Sequence, residues 1–136
     1  MIYTFKNIPT GHTIICGYDQ DEKYVFMTIF DSEANIVYSN LDEEKPQEII
    51  DFKFFVKRAL DKFKIKIPED ISIKISVYSH QEFYKDEFVD EEKIAKRIKN
   101  GQDLFDRNIK YEKIEIDESF PKYVFNNKAM FKEWII

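Results

Sequence analysis

The sequence predicts an α+β domain: a mostly antiparallel sheet that opens with a three-stranded meander, with helices packed on one face. Three observations carry this. Residues 13–39 hold three short apolar runs separated by turn residues. Residues 49–63 repeat apolar side chains at helical spacing. Strand-like and helix-like patterns then alternate along the remainder, giving the order ββ(β)-α-β-α-β-α.

Residues 2–6 read as a short edge strand, followed by a turn at Pro9-Thr10-Gly11. Residues 13–18 form the next strand. The run 24–30 is apolar at both parities, with Tyr24, Phe26 and Phe30 alternating with Val25, Met27 and Ile29. Such a strand is central and covered on both sides. Residues 31–35 are a hairpin-length connection and 36–39 the returning strand. Asp42-Glu43-Glu44-Lys45-Pro46 reads as a helix start, because acids suit the positive end and proline tolerates the first turn. The helix then carries Ile49, Phe52, Phe55, Val56, Ala59, Leu60 and Phe63 inward and closes at Pro68.

Ile71, Ile73, Ile75 and Val77 alternate with Ser72, Lys74, Ser76 and Tyr78, the pattern of a half-buried strand. Residues 80–88 suit a helical turn. Asp90 caps a short helix that turns Ile94 and Ile98 inward and stops at Asn100-Gly101. Residues 110–116 read as a strand, and Asn126 or Asn127 opens a final helix bearing Met130, Phe131, Trp134 and Ile135.

The 136 residues suit a single globular domain spanning 1–136, with no linker, repeat or low-complexity tract. A 43% hydrophobic content, with thirteen Phe and eight Tyr, is enough for a core without staples. One cysteine excludes an internal disulfide. The opening Met-Ile-Tyr-Thr-Phe-Lys lacks the basic-then-apolar pattern of a signal peptide, and no apolar run approaches the ~20 residues that span a bilayer. A cytoplasmic location without membrane contact is expected.

A net charge of −5 disfavours direct nucleic-acid binding, which needs clustered cations. The charge is nevertheless uneven. Lys53, Lys57, Arg58, Lys62, Lys64 and Lys66 face only Asp61 within 53–66, and Lys93, Lys96, Arg97 and Lys99 form a second basic block. Both fit solvated helix faces. Acid gathers at 42–44, 82–92 and 112–118.

The parts of common catalytic sites are absent from the pattern. His12 and Cys16 sit four apart, but a metal site needs further ligands and only His80 remains, so no metal or cofactor is expected. Cys16, between Ile15 and Gly17, lies in an apolar strand rather than at an activating helix start. Gly11, Gly17 and Gly101 are too far apart to cradle a phosphate. No residue is assigned as catalytic. Asp19, Asp31 and Asp42 fall near strand ends, where turn formers and catalytic acids both occur.

What remains is the segment in which Glu82, Asp86, Glu87, Asp90, Glu91 and Glu92 surround Phe83 and Tyr84. Acids among aromatics can dock on a basic groove by imitating phosphates and bases. A second set of candidates is Tyr18, Asp19, Ser39, Asn40 and Asp42, placed at turns of the meander.

Gly17-Tyr18-Asp19, the aromatic strand 24–31 ending in Asp31, and Tyr38-Ser39-Asn40-Leu41-Asp42 together resemble the pattern of a group of short uncharacterised bacterial proteins. Polar Gln20-Asp21-Glu22 stands where that group has Pro-Leu. The resemblance covers 15–42 only and implies no activity.

The sequence therefore favours a small, acidic, non-enzymatic cytoplasmic protein that binds a macromolecular partner. An inhibitor, immunity or accessory role, phage- or plasmid-borne, suits a chain docking on a basic or nucleic-acid-handling protein. The alternatives are a small metal-assisted hydrolase using loop carboxylates such as Asp19 and Asp42, and a homo-oligomeric module that binds a small ligand.

Overall fold

The structure is a computed structural model that describes residues 2–19, 23–83, 90–99, 104–106 and 111–114. In chain order its strands and α-helices are β1 (Ile2–Asn7), β2 (Thr13–Asp19), β3 (Tyr24–Phe30), β4 (Ile36–Ser39), α1 (Lys53–Phe63), β5 (Ile67–Pro68), α2 (Glu69–Phe83), α3 (Glu91–Lys99), β6 (Phe105–Asp106) and β7 (Tyr111–Ile114). Two short 3-10 turns, Asn40–Asp42 and Pro46–Glu48, lie between β4 and α1. The α+β class follows directly.

The main sheet has the order β4-β3-β2-β1-β7, with every neighbouring pair antiparallel. The meander is present as expected, and β3 lies inside the sheet with all seven residues buried. The first strand differs from expectation. β1 is internal, paired with β2 on one side and with β7 on the other. Its Phe5 and Thr4, on opposite faces, are both buried. Gly11 takes the positive φ of the β1–β2 turn, where its N–H donates to the Asn7 carbonyl.

Register sorts the strand residues onto two faces. Phe5, Ile14, Cys16, Tyr18, Val25, Met27, Ile29 and Tyr38 share one face and pack with Phe55, Val56 and Ala59 of α1, Ile71 and Ile75 of α2, and Ile98 of α3. Fully burying one such side chain contributes about 1.5–3 kcal/mol. The opposite face carries Thr4, Ile15, Phe26, Thr28 and Phe30, also buried.

Two further expectations fail. The first helix begins at Lys53 rather than in 42–46, because the acids before it serve other ends. Asp42 closes a turn, and the Ile49 carbonyl accepts from Val25 N–H, where it continues the edge of β3 beyond β4. Residues 71–77 are not a strand but the first half of α2. Burial there falls on Ile71, Ser72, Ile75, Ser76 and Ser79, a four-residue step. The serines are small residues packed against neighbours, not a solvent-facing row. Ser72 Oγ donates to the Pro68 carbonyl at 3.1 Å, and Glu69 and Asp70 occupy the first turn, where negative charge is favoured.

Asp90 caps α3 as expected, accepting from Lys93 N–H through Oδ1 at 3.1 Å. Ile98 is buried and Ile94 packs on the core. The expected stop at Asn100-Gly101 and the final helix near 126–135 lie outside the described residues. A short parallel pair, β5 with β6, joins the chain on either side of α2 and α3.

Candidate functional site

β4 ends where Ser39 leaves the ladder, and the next residues form a capping box. Ser39 Oγ accepts from Leu41 N–H at 3.1 Å, and Asp42 Oδ2 accepts from Ser39 N–H at 2.9 Å. Asn40 is fully buried, and among the described residues neither its Oδ1 nor its Nδ2 has a hydrogen-bond partner. Thr28, opposite Ser39 in the ladder, is buried with its hydroxyl likewise unpartnered.

Beside this turn Glu43 gathers three hydrogen bonds. The Tyr38 hydroxyl donates to Oε1 at 2.8 Å, Arg58 Nε to Oε1 at 2.8 Å, and Arg58 Nη2 to Oε2 at 3.2 Å. Arg58 also lies over the Phe54 ring, 4.8 Å from its centroid, and Lys62 Nζ lies 5.2 Å from that of Tyr38. Burial alone would raise the Glu43 carboxyl, but the hydrogen bonds from Arg58 and Tyr38 outweigh it and hold it below the usual carboxylate range. Burial, reinforced by the Glu43 carboxylate, pushes the Tyr38 phenol up. The network clamps β4 to α1 and keeps Tyr38 neutral.

The other second-set candidates also sit inside the fold. Tyr18 and Asp19 are the last two residues of β2 and both are buried. The Tyr18 ring meets Tyr78 edge-on at 5.8 Å. Asp19 pairs with Tyr24, so it stands at the end of the sheet where β3 begins, the end toward which β4 also runs before the Ser39–Asp42 turn. Cys16 is buried in the core and burial pushes its thiol up, away from the thiolate that nucleophilic chemistry needs. The His12 ring lies tilted against Phe63, with centroids 5.7 Å apart. Among the described residues no group of three or more His, Cys, Asp or Glu is placed to hold a metal ion.

The acidic segment has a different character. Asp90, Glu91 and Glu92 are exposed at the start of α3. Gln81 Nε2, from α2, donates to Glu91 Oε1 at 3.0 Å and ties the two helices together. Glu82 and Phe83 are the last two residues of α2, while Tyr84, Asp86 and Glu87 lie outside the described residues.

Two features escaped sequence reasoning. The Tyr38–Glu43–Arg58 network joins residues fifteen positions apart, which no periodicity marks. A narrow cleft opens between α1, α2 and α3, and its lining includes Lys53, Ser76 and Arg97. Its only sequence signal was the pair of basic blocks. No family model, no curated protein and no solved structure matches this chain.

Proposed function

We propose that this chain acts by binding a macromolecular partner, without covalent chemistry of its own. The acidic start of α3 docks on a basic or nucleic-acid-handling protein, as an inhibitor, immunity or accessory protein of the cytoplasm would. One observation carries the reading: Asp90, Glu91 and Glu92 stand exposed side by side. By contrast, Ser39, Asp42 and Glu43 hold the fold together and Cys16 and Asp19 are buried. Exposed like charges next to the neighbouring helix end create a negative field that steers a basic partner and fades with salt.

Affinity capture from the native cell tests this when wild type is compared with a Glu91→Lys/Glu92→Lys variant at low and high salt. The reading expects a partner retained by wild type at low salt, released at high salt and lost in the variant. Equal retention by both chains contradicts it. Circular dichroism controls for the fold, since reversing charge at a helix start costs about 0.3–1 kcal/mol per residue.

A further inference from the structure

We propose that the cleft between α1, α2 and α3 is a binding site for a phosphate group. Phe52 and Phe105 contribute apolar walls, and among the described residues the polar lining is Asp51, Lys53, Ser72, Ser76 and Arg97. Lys53 is the first residue of α1, and Arg97 comes from the last turn of α3. Among the described residues two cations, Lys53 and Arg97, thus meet one carboxylate, Asp51, in the lining of the cleft. Among the described residues neither Lys53 nor Arg97 is in an ion pair.

The amides at the start of α1 are already taken. Lys53 N–H donates to Asp51 Oδ1, Phe54 N–H to the Asp51 carbonyl, and Phe55 N–H to the Phe52 carbonyl. Recognition therefore falls to side chains. Ser76 is 5% exposed and lines the cleft. On the same helix Ser72 and Ser79 each donate to a backbone carbonyl at 3.1 Å. The Ser76 hydroxyl makes no hydrogen bond among the described residues.

The free space inside is about 10 Å³, room for one water-sized atom. One phosphate oxygen fits there against Ser76, and the rest of the group stays at the mouth between the ammonium and the guanidinium. The surplus of cations over Asp51 favours a dianion over a carboxylate, and an arginine fork matches phosphate oxygens. The lining of the site includes none of Asp90, Glu91 or Glu92, so the proposal does not depend on the docking surface at the other end of α3.

Inorganic phosphate titrated into the full chain at low ionic strength tests the site by nuclear magnetic resonance. Saturable shifts of the Lys53, Ser76 and Arg97 amides are expected, with binding weakened about tenfold, or about 1.4 kcal/mol, by Arg97→Ala and by Ser76→Ala. Arg97 is exposed, so its replacement leaves the core intact, and Lys66→Ala serves as an unaffected control. Tighter binding of phenyl phosphate would assign the site to an organic phosphomonoester whose organic group lies at the mouth. Equal affinity would assign it to the free ion. Identical shifts with chloride at matched ionic strength, or wild-type affinity in both alanine variants, would overturn the proposal.

Discussion

Arg58 and Glu43 meet side-on, with Nε 2.8 Å from Oε1 and Nη2 3.2 Å from Oε2, although the arginine side chain remains 40% exposed and the glutamate 14%. The same Oε1 accepts from the Tyr38 hydroxyl. An exposed ion pair alone contributes little, but here the carboxylate is largely covered and anchors three donors. Glu43→Gln removes the charge and should lower stability by about 1–2 kcal/mol near neutral pH. The deficit should depend on pH. The unfolded carboxyl protonates near about 4.3, whereas the folded one does so lower. Between these values the unfolded chain holds more protons, so the stability is present above the unfolded value and disappears as pH falls through the folded one. Urea unfolding of both proteins across acid pH should show the curves converging; a constant gap would rule out the charge as its source.

The Ser39–Asp42 box ends β4 through two reciprocal hydrogen bonds. Replacing Asp42 by Ala should cost about 0.5–2 kcal/mol, within the range of helix-cap losses. Asp42→Asn retains an acceptor and should lose less. Thermal unfolding of the pair checks this ordering, and equal losses would mean that Asp42 does not act through its side-chain bond.

Thr28 offers an unusual case, since its buried hydroxyl has no partner among the described residues. Exchanging Thr for Val normally sacrifices a bonded hydroxyl, but here it removes a desolvated orphan. Thr28→Val should leave the stability unchanged or raise it by up to about 1–3 kcal/mol of relieved desolvation, read as an unchanged or higher melting temperature. A clear drop would show that the hydroxyl is bonded in solution.

Cys16 is buried and its thiol is pushed up by that burial. A thiol reagent at neutral pH should therefore leave the native protein unlabelled and react fully once denaturant is added. Rapid labelling of the native chain would place Cys16 outside the core.

Much of this architecture is legible in the sequence because strands declare themselves by parity. The double-sided apolar run of β3 fixed it inside the sheet, and Asp90 before Ile94 and Ile98 marked α3. Parity also misled. Ile71 to Val77 alternates as a strand does, yet serine is small enough to pack in a helix, and Glu69-Asp70 after Pro68 was the overlooked start signal. The partner of β1 was hidden because β7 returns from more than a hundred residues away. Of the candidate residues, Ser39 and Asp42 were recognisable as turn formers, but the ring of donors on Glu43 exists only once α1 lies against β4.

The exposed acids at the start of α3 are what the functional reading stands on. With a captured partner purified, its dissociation constant should rise at least about tenfold, or about 1.4 kcal/mol, for Glu91→Lys/Glu92→Lys relative to wild type at low salt. The difference should narrow as salt is raised. An unchanged dissociation constant at low salt, with α3 still folded, would contradict the assignment of this surface.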